Sequence, residues 1–331
     1  MAAKLDYDRL ASAYGPNRWT HPGVLAALVT TGRLGAASRV LEVGCGTGNY
    51  VAALADEVGC AVAGLDPSPA MRRQAAEQAP WIPLHQGRAE TLPFADGAFA
   101  LIFSVDVIHH VEDRPAFFRE AFRVLEPGGS LCTATDSEDD IRRRVPLSSH
   151  FPETVAVELR RYPSISTLQA ETSAAGFGDV REERVERPYL LTDIDGYRAR
   201  AYSSLHLIEE AAWRRGVVRL ESDLAAGPIA ALSLYTLLWS EWQSGHTNAG
   251  SPIRSANGTG KRRPLPRHPE RSEGELLEDS PRQVLQPSVR SVGETVHQRT
   301  QEDDRVAVAP PSRRDHAVDI ENREHPWRTF R

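Results

Sequence analysis

Lysine is almost missing from this chain of 331 residues: only Lys4 and Lys261 are present, and arginine carries the rest of the positive charge. The formal net charge is −6, and its acidic excess falls before residue 244. That part lacks the basic face that a general nucleic-acid binder presents, so nucleic acid is not an expected partner. Cysteine is scarce too. Cys45, Cys60 and Cys132 are odd in number and lack C-x-x-C spacing, which excludes a disulfide framework and a cysteine zinc site. No metal site is indicated, and each thiol reads as a small buried residue in a reducing compartment. Long apolar runs are absent as well: nothing approaches the ~20 residues a membrane helix needs, and the first residues have no leader-like apolar core. The expectation is a cytoplasmic protein without stable membrane insertion.

What is present falls into two regimes. Up to about Trp242, apolar runs alternate with helical patterns. Beyond it, residues 244–331 are dense in Arg, Glu, Pro, Ser and Gly and keep no period of 2 or 3.6. Such a segment buries too little to offset its ordering entropy, and it reads as a disordered tail. Its removal is expected to leave stability and activity intact; the rival reading is an interaction tail. Residues 1–243 read as one domain. Strands are expected at 39–43, 61–66, 83–86, 100–104, 130–135, 180–187 and 232–239. Helices are expected at 21–31, 49–58, 69–78, 114–124 and 166–175, with a longer helical region over 193–226. Alternation with short connections predicts an α/β doubly wound sheet with helices on both faces.

One segment carries most of the chemistry. After the run Arg39-Val40-Leu41 come Glu42 and three glycines at alternate positions, Gly44, Gly46 and Gly48, with Cys45 between the first two. A strand, a tight turn and a helix start follow from that pattern, and ligands of such sheets sit at strand C-terminal ends. A dinucleotide fingerprint is G-x-G-x-x-G. Here the third glycine comes one residue early, and an acidic side chain precedes the loop. That arrangement suits a ligand with a cationic amino group better than a phosphate. Further on, Asp66 ends the second expected strand, where a carboxylate accepts from ribose hydroxyls; capping before Pro67 is the alternative role.

Glu42-x-Gly44-x-Gly46-x-Gly48 resembles the first motif of class I S-adenosylmethionine-dependent methyltransferases. The segment Gly87-Arg88-Ala89-Glu90-Thr91-Leu92-Pro93-Phe94 resembles the one after the third strand in the branch that includes ubiquinone and menaquinone biosynthesis enzymes (methyltransferase type 11). Residues 99–110 and Leu125-Glu126-Pro127-Gly128-Gly129 are similar to its fourth strand and its turn into the fifth. The resemblance implies a seven-stranded Rossmann-like sheet whose last strand is antiparallel, a cofactor-binding core over about 35–135, and S-adenosyl-L-methionine as cofactor. It further implies cofactor contacts from Glu42, Gly44, Cys45, Gly46, Gly48, Asp66, Pro67, Met71, Ala89, Glu90 and Asp106. Met71 is as well suited to core packing, and Asp106 to capping the next helix. Tyr7-Asp8-x-Leu10-Ala11-x-x-Tyr14 resembles a segment that folds over the cofactor, placing Tyr14 near its methionine end; an amphipathic helix covering the sheet is the other reading. Arg88 departs from the branch, which often has an acceptor there for the adenine amino group.

The implied reaction is methyl transfer to a small-molecule acceptor. The branch tolerates many acceptors, and a base is needed only for a weakly nucleophilic one. His109 is the candidate base, with positioning or capping as its alternative; His110 is second. Substrate selection is expected from residues 136–226, a lid built of an irregular stretch, 136–165, and the helical region after 193. Within it Arg142, Arg143 and Arg144 read as a solvated face, with binding of an anionic substrate as the alternative. Rivals are a cofactor-binding homologue that no longer transfers methyl groups and, from another class, a nicotinamide-dependent oxidoreductase.

Overall fold

The computed structural model describes residues 19–242. Tyr14 with its surrounding motif, and the expected tail 244–331, lie outside the described residues. Within them the elements run α1 Pro22–Thr30, β1 Arg39–Val43, α2 Asn49–Val58, β2 Ala61–Asp66, α3 Pro69–Gln78, β3 Leu84–Gln86, β4 Phe99–Val105, α4 Arg114–Val124 and β5 Leu125–Thr135. There follow α5 Glu138–Arg143, α6 Leu147–His150, α7 Glu153–Arg161, α8 Ile165–Ala174, β6 Arg181–Leu191, α9 Asp195–Arg198, α10 Glu210–Ala226 and β7 Ile229–Glu241.

The strands form one sheet in the order β3-β2-β1-β4-β5-β7-β6. β1 to β5 pair in parallel, and β7 enters antiparallel between β5 and β6. Alternation along each strand feeds two separate cores. Leu41, Val43, Phe99 and Ile102 face one side, packing with Phe117, Phe118 and Leu168 of α4 and α8. Val40, Leu101 and Phe103 face the other, against Val24 and Leu28 of α1 and Val51 and Leu54 of α2. The order reverses on either side of β1 and β4, so the crevice outside their C-terminal ends is where a ligand of this topology binds.

Several expectations change. Helix α1 begins at Pro22 rather than at 21: His21 is its N-cap, and its ring Nδ1 accepts from the Val24 amide at 3.3 Å. β5 starts at Leu125, not 130. Phe99 pairs with Leu125 and Leu101 with Ser130, so Pro127-Gly128-Gly129 is a bulge inside the strand rather than a turn before it. Residues 136–165 are largely helical, not irregular: they form α5, α6 and α7, with Ser137 and Asp140 closing a capping box on α5, while α6 and α7 follow Pro146 and Pro152 with no side-chain cap. The single helical region expected over 193–226 is divided into α9, a 3₁₀ turn at Ser203–His206, and α10. These pieces share a third core of Leu147, Phe151, Ile194, Tyr197, Leu205 and Leu220, a cap distinct from both sheet faces.

Candidate functional site

The glycine loop sits where β1 ends. Gly44, Gly46 and Gly48 all take positive φ, at 74°, 53° and 79°. The loop is held from beneath: the Gly44 and Cys45 amides donate to the Leu65 carbonyl at 2.7 and 3.0 Å. At Gly44 even alanine is excluded, since a Cβ would lie 2.4 Å from Val107 Cγ2. Glu42 is 3% exposed, and its Oε2 accepts from the Val51 amide at 3.2 Å, tying the carboxylate to the first turn of α2. Burial pushes the Glu42 carboxyl well above its usual range, the Val51 amide pulls it down, and the Asp66 carboxylate nearby raises it further. A desolvated carboxyl lining a cavity is suited to an incoming ammonium group. Burial, then Glu42 and Asp66, also push the Cys45 thiol up, so it stays protonated and inert at neutral pH.

A cavity beside the loop is lined by Glu42, Gly44, Cys45, Gly46 and Asp106. Of the expected cofactor residues these five are brought together; Gly48, Asp66, Pro67, Met71, Ala89 and Glu90 are not in its lining. Asp66 is nonetheless bound to the loop. Its Oδ2 accepts from the Gly46 amide at 2.9 Å and its Oδ1 from the Ser68 amide at 2.8 Å, while Ser68 Oγ caps α3 by accepting from Met71 N at 3.1 Å. Met71 is buried along α3 and Ala89 packs in the core. Glu90 is engaged with Arg88 and with the Glu112 amide, which lowers its pKa against the opposing effect of burial.

A second cavity adjoins the first, and Trp19, Asp106 and Tyr235 line both. Asp106 follows β4 with φ of 58°, a conformation that aspartate tolerates better than most side chains. Its Oδ2 accepts from the Tyr235 hydroxyl at 2.8 Å, so β7 supports a residue at the end of β4. His109 and His110 lie in this second cavity, in a 3₁₀ turn at Ile108–His110, and the His109 ring stacks on Tyr162 with centroids 4.0 Å apart. Burial above all, then Asp136 and Asp106, push the Tyr162 phenol well up, so its ring is neutral. The arginine run does not behave as one solvated face. Arg142 and Arg143 are exposed, whereas the Arg144 side chain is 13% exposed, lines the cavity, and pairs with Asp136 at 2.8 Å and with Glu158. Trp19, Asp136, Glu158 and Tyr235 are among the cavity residues that the sequence reading missed, and Arg144 is one that it read as solvated. The tyrosine sits in an apolar strand pattern, and nothing local marks it.

Residues 41–133 match the family described as methyltransferase domain. Over this stretch the chain is similar to methyltransferase domains. The stretch spans β1 to β5, so the family match covers the glycine loop and Asp106 and stops short of Tyr235 and the cap. A demethylmenaquinone methyltransferase of Chlorobaculum parvum is 38% identical over 91 residues, which is 28% of this chain and 38% of that protein. A 2-methyl-6-phytyl-1,4-hydroquinone methyltransferase of Synechocystis is 37% identical over 112 residues, 33% of this chain and 35% of that protein. The chain thus spans little more than a third of the length of these curated relatives. A solved structure of a methyltransferase assigned to an antibiotic biosynthesis pathway in Anabaena variabilis has a TM-score of 0.51 at 24% identity, over 66% of this chain and 96% of that one; it speaks to the fold. Among the described residues no helix is long and apolar enough to cross a membrane.

Proposed function

We propose that the chain is an S-adenosylmethionine-dependent methyltransferase acting on a small-molecule acceptor. The observation that carries this reading is the junction of two cavities at the β1 and β4 ends, one formed by the glycine loop and the buried Glu42, the other by rings and histidines. When bound, the cofactor supplies a methyl group activated on a sulfonium. The chain's part is to hold, align and keep out water, and alignment alone is worth roughly 7–11 kcal/mol in favourable cases.

Glu42 would face the cofactor's amino group, and the Gly44–Gly48 backbone would border its methionine half. Asp66, oriented by the Gly46 and Ser68 amides, would accept from ribose hydroxyls. Pro67, Met71, Ala89 and Glu90 would complete the adenosine side, and Tyr14 would cover the methionine end. Asp106, at the junction, would border both ligands. His109, which lines the second cavity, would take a proton from the acceptor.

Calorimetric titration of the full chain with S-adenosylmethionine and with NAD tests the reading. The former is expected to bind and the latter not; tight binding of NAD alone would refute it. Asp66→Ala is expected to weaken cofactor affinity at least tenfold, about 1.4 kcal/mol or more, through loss of charge-assisted bonds. An unchanged affinity would leave Asp66 only its capping role.

A further inference from the structure

Ring faces and carboxylates dominate the acceptor cavity. Tyr162, Tyr189, Tyr197 and Tyr202 line it, reaching in from the end of α7, from β6, from α9 and from the turn that follows. The Tyr197 and Tyr202 rings pack with centroids 4.7 Å apart, and Tyr189 meets Trp19 edge-on at 6.4 Å. Burial keeps the Tyr162, Tyr189 and Tyr197 phenols protonated, with Tyr189 pushed up to about 12, so these three offer neutral rings with electron-rich faces.

Three carboxylates share the lining with a single guanidinium. Arg144 holds Asp136 and Glu158, and Tyr235 donates to Asp106. Each acid is therefore partnered, yet the formal charge of the described lining stays negative. An anionic acceptor would meet those carboxylates at reduced dielectric, where like charges repel strongly. A neutral ring would gain from stacking but draw nothing from the charge. A cation is favoured by both features at once, since aromatic faces and carboxylates attract it together.

Resting on the methyltransferase reading, we propose that the acceptor is a small organic amine, recognised as its ammonium by the tyrosine rings and the acidic lining. An ammonium nitrogen has no free lone pair, so one N–H bond must break before it can act as a nucleophile. His109, in the same cavity, receives that proton as a new imidazolium N–H, and the nitrogen keeps the electron pair.

Three probes of similar size but different charge decide the matter: phenethylamine, ethylphenol and phenylacetate, each titrated calorimetrically into the full chain saturated with S-adenosylhomocysteine. The amine is expected to bind at least tenfold tighter than the phenol, and phenylacetate not detectably. Tyr189→Leu is expected to weaken the amine at least threefold and Tyr189→Phe to leave it nearly unchanged, because phenylalanine keeps the ring face. Equal or tighter binding of the phenol or the anion would overturn the proposal, as would no binding of the amine at millimolar concentration. Failure of S-adenosylhomocysteine itself to bind would instead sink the underlying methyltransferase reading.

Discussion

Glu42 carries an electrostatic cost in the folded chain, because burial disfavours its charged form. At pH values below its usual pKa of 4.5 the carboxyl is protonated in folded and unfolded chains alike, and the residue is neutral to stability. As pH rises from there toward the raised folded value, the unfolded chain ionises and the folded one does not, so stability is lost. Glu42→Gln removes that loss while its amide oxygen can still accept from Val51. The variant is expected to unfold at higher temperature than the native chain at neutral pH, the gain vanishing below about pH 4, and to bind S-adenosylmethionine roughly tenfold more weakly. Scanning calorimetry across pH together with ligand titration checks both arms; a variant destabilised at neutral pH would contradict the desolvation argument. Gly44→Ala tests the loop by sterics instead. Its Cβ would lie 2.4 Å from Val107 Cγ2 on a backbone with φ of 74°, so cofactor binding is expected to fall at least tenfold in the same titration.

Among the elements, α5 shows how one carboxylate can join local and distant order. Asp140 Oδ2 accepts from the Ser137 amide at 2.9 Å and the Ser137 hydroxyl at 2.7 Å, closing the capping box, and also from the Thr236 hydroxyl of β7. Asp140→Ala would strand two buried hydroxyls and open the helix end. The expected cost is about 2–3 kcal/mol by urea unfolding, more than an exposed cap alone contributes. A loss below about 1 kcal/mol would mean the tie to β7 adds nothing. The donor end was legible at this scale because its signals are adjacent in sequence: strand, glycine loop and helix start lie within residues 39–58. The bulge in β5 was not. Pro127-Gly128-Gly129 reads as a turn until Phe99 and Leu101 of the neighbouring strand impose the pairing on either side of it.

For the molecule as a whole, the sheet faces and the cap have separate cores. The cap core closes on Gly216 of α10, where an added Cβ would stand 2.2 Å from Phe151 Cδ1. Gly216→Ala therefore has to displace Phe151 or α10, and overpacking of this kind costs roughly 1–3 kcal/mol. Because the clash lies among cap elements and away from the glycine loop, methyl transfer is expected to drop roughly tenfold while S-adenosylmethionine affinity stays within about twofold. Parallel turnover and binding measurements would show it, and equal losses of both would argue against a separate acceptor module.

Chain order by itself determined the α/β architecture, the positions of the first four parallel strands and the residues of the glycine loop, since periodicity and loop chemistry act over a few neighbouring residues. It also marked Asp106 and His109 as candidates. Only the tertiary structure decided which groups meet them. Tyr235 reaches Asp106 across 129 residues of sequence because β7 enters the sheet antiparallel beside β5. Arg144 leaves the solvated run beside it because Asp136 and Glu158 form a buried place for its charge. Such contacts arise from strand order and packing between distant segments, and no local pattern of residues encodes them.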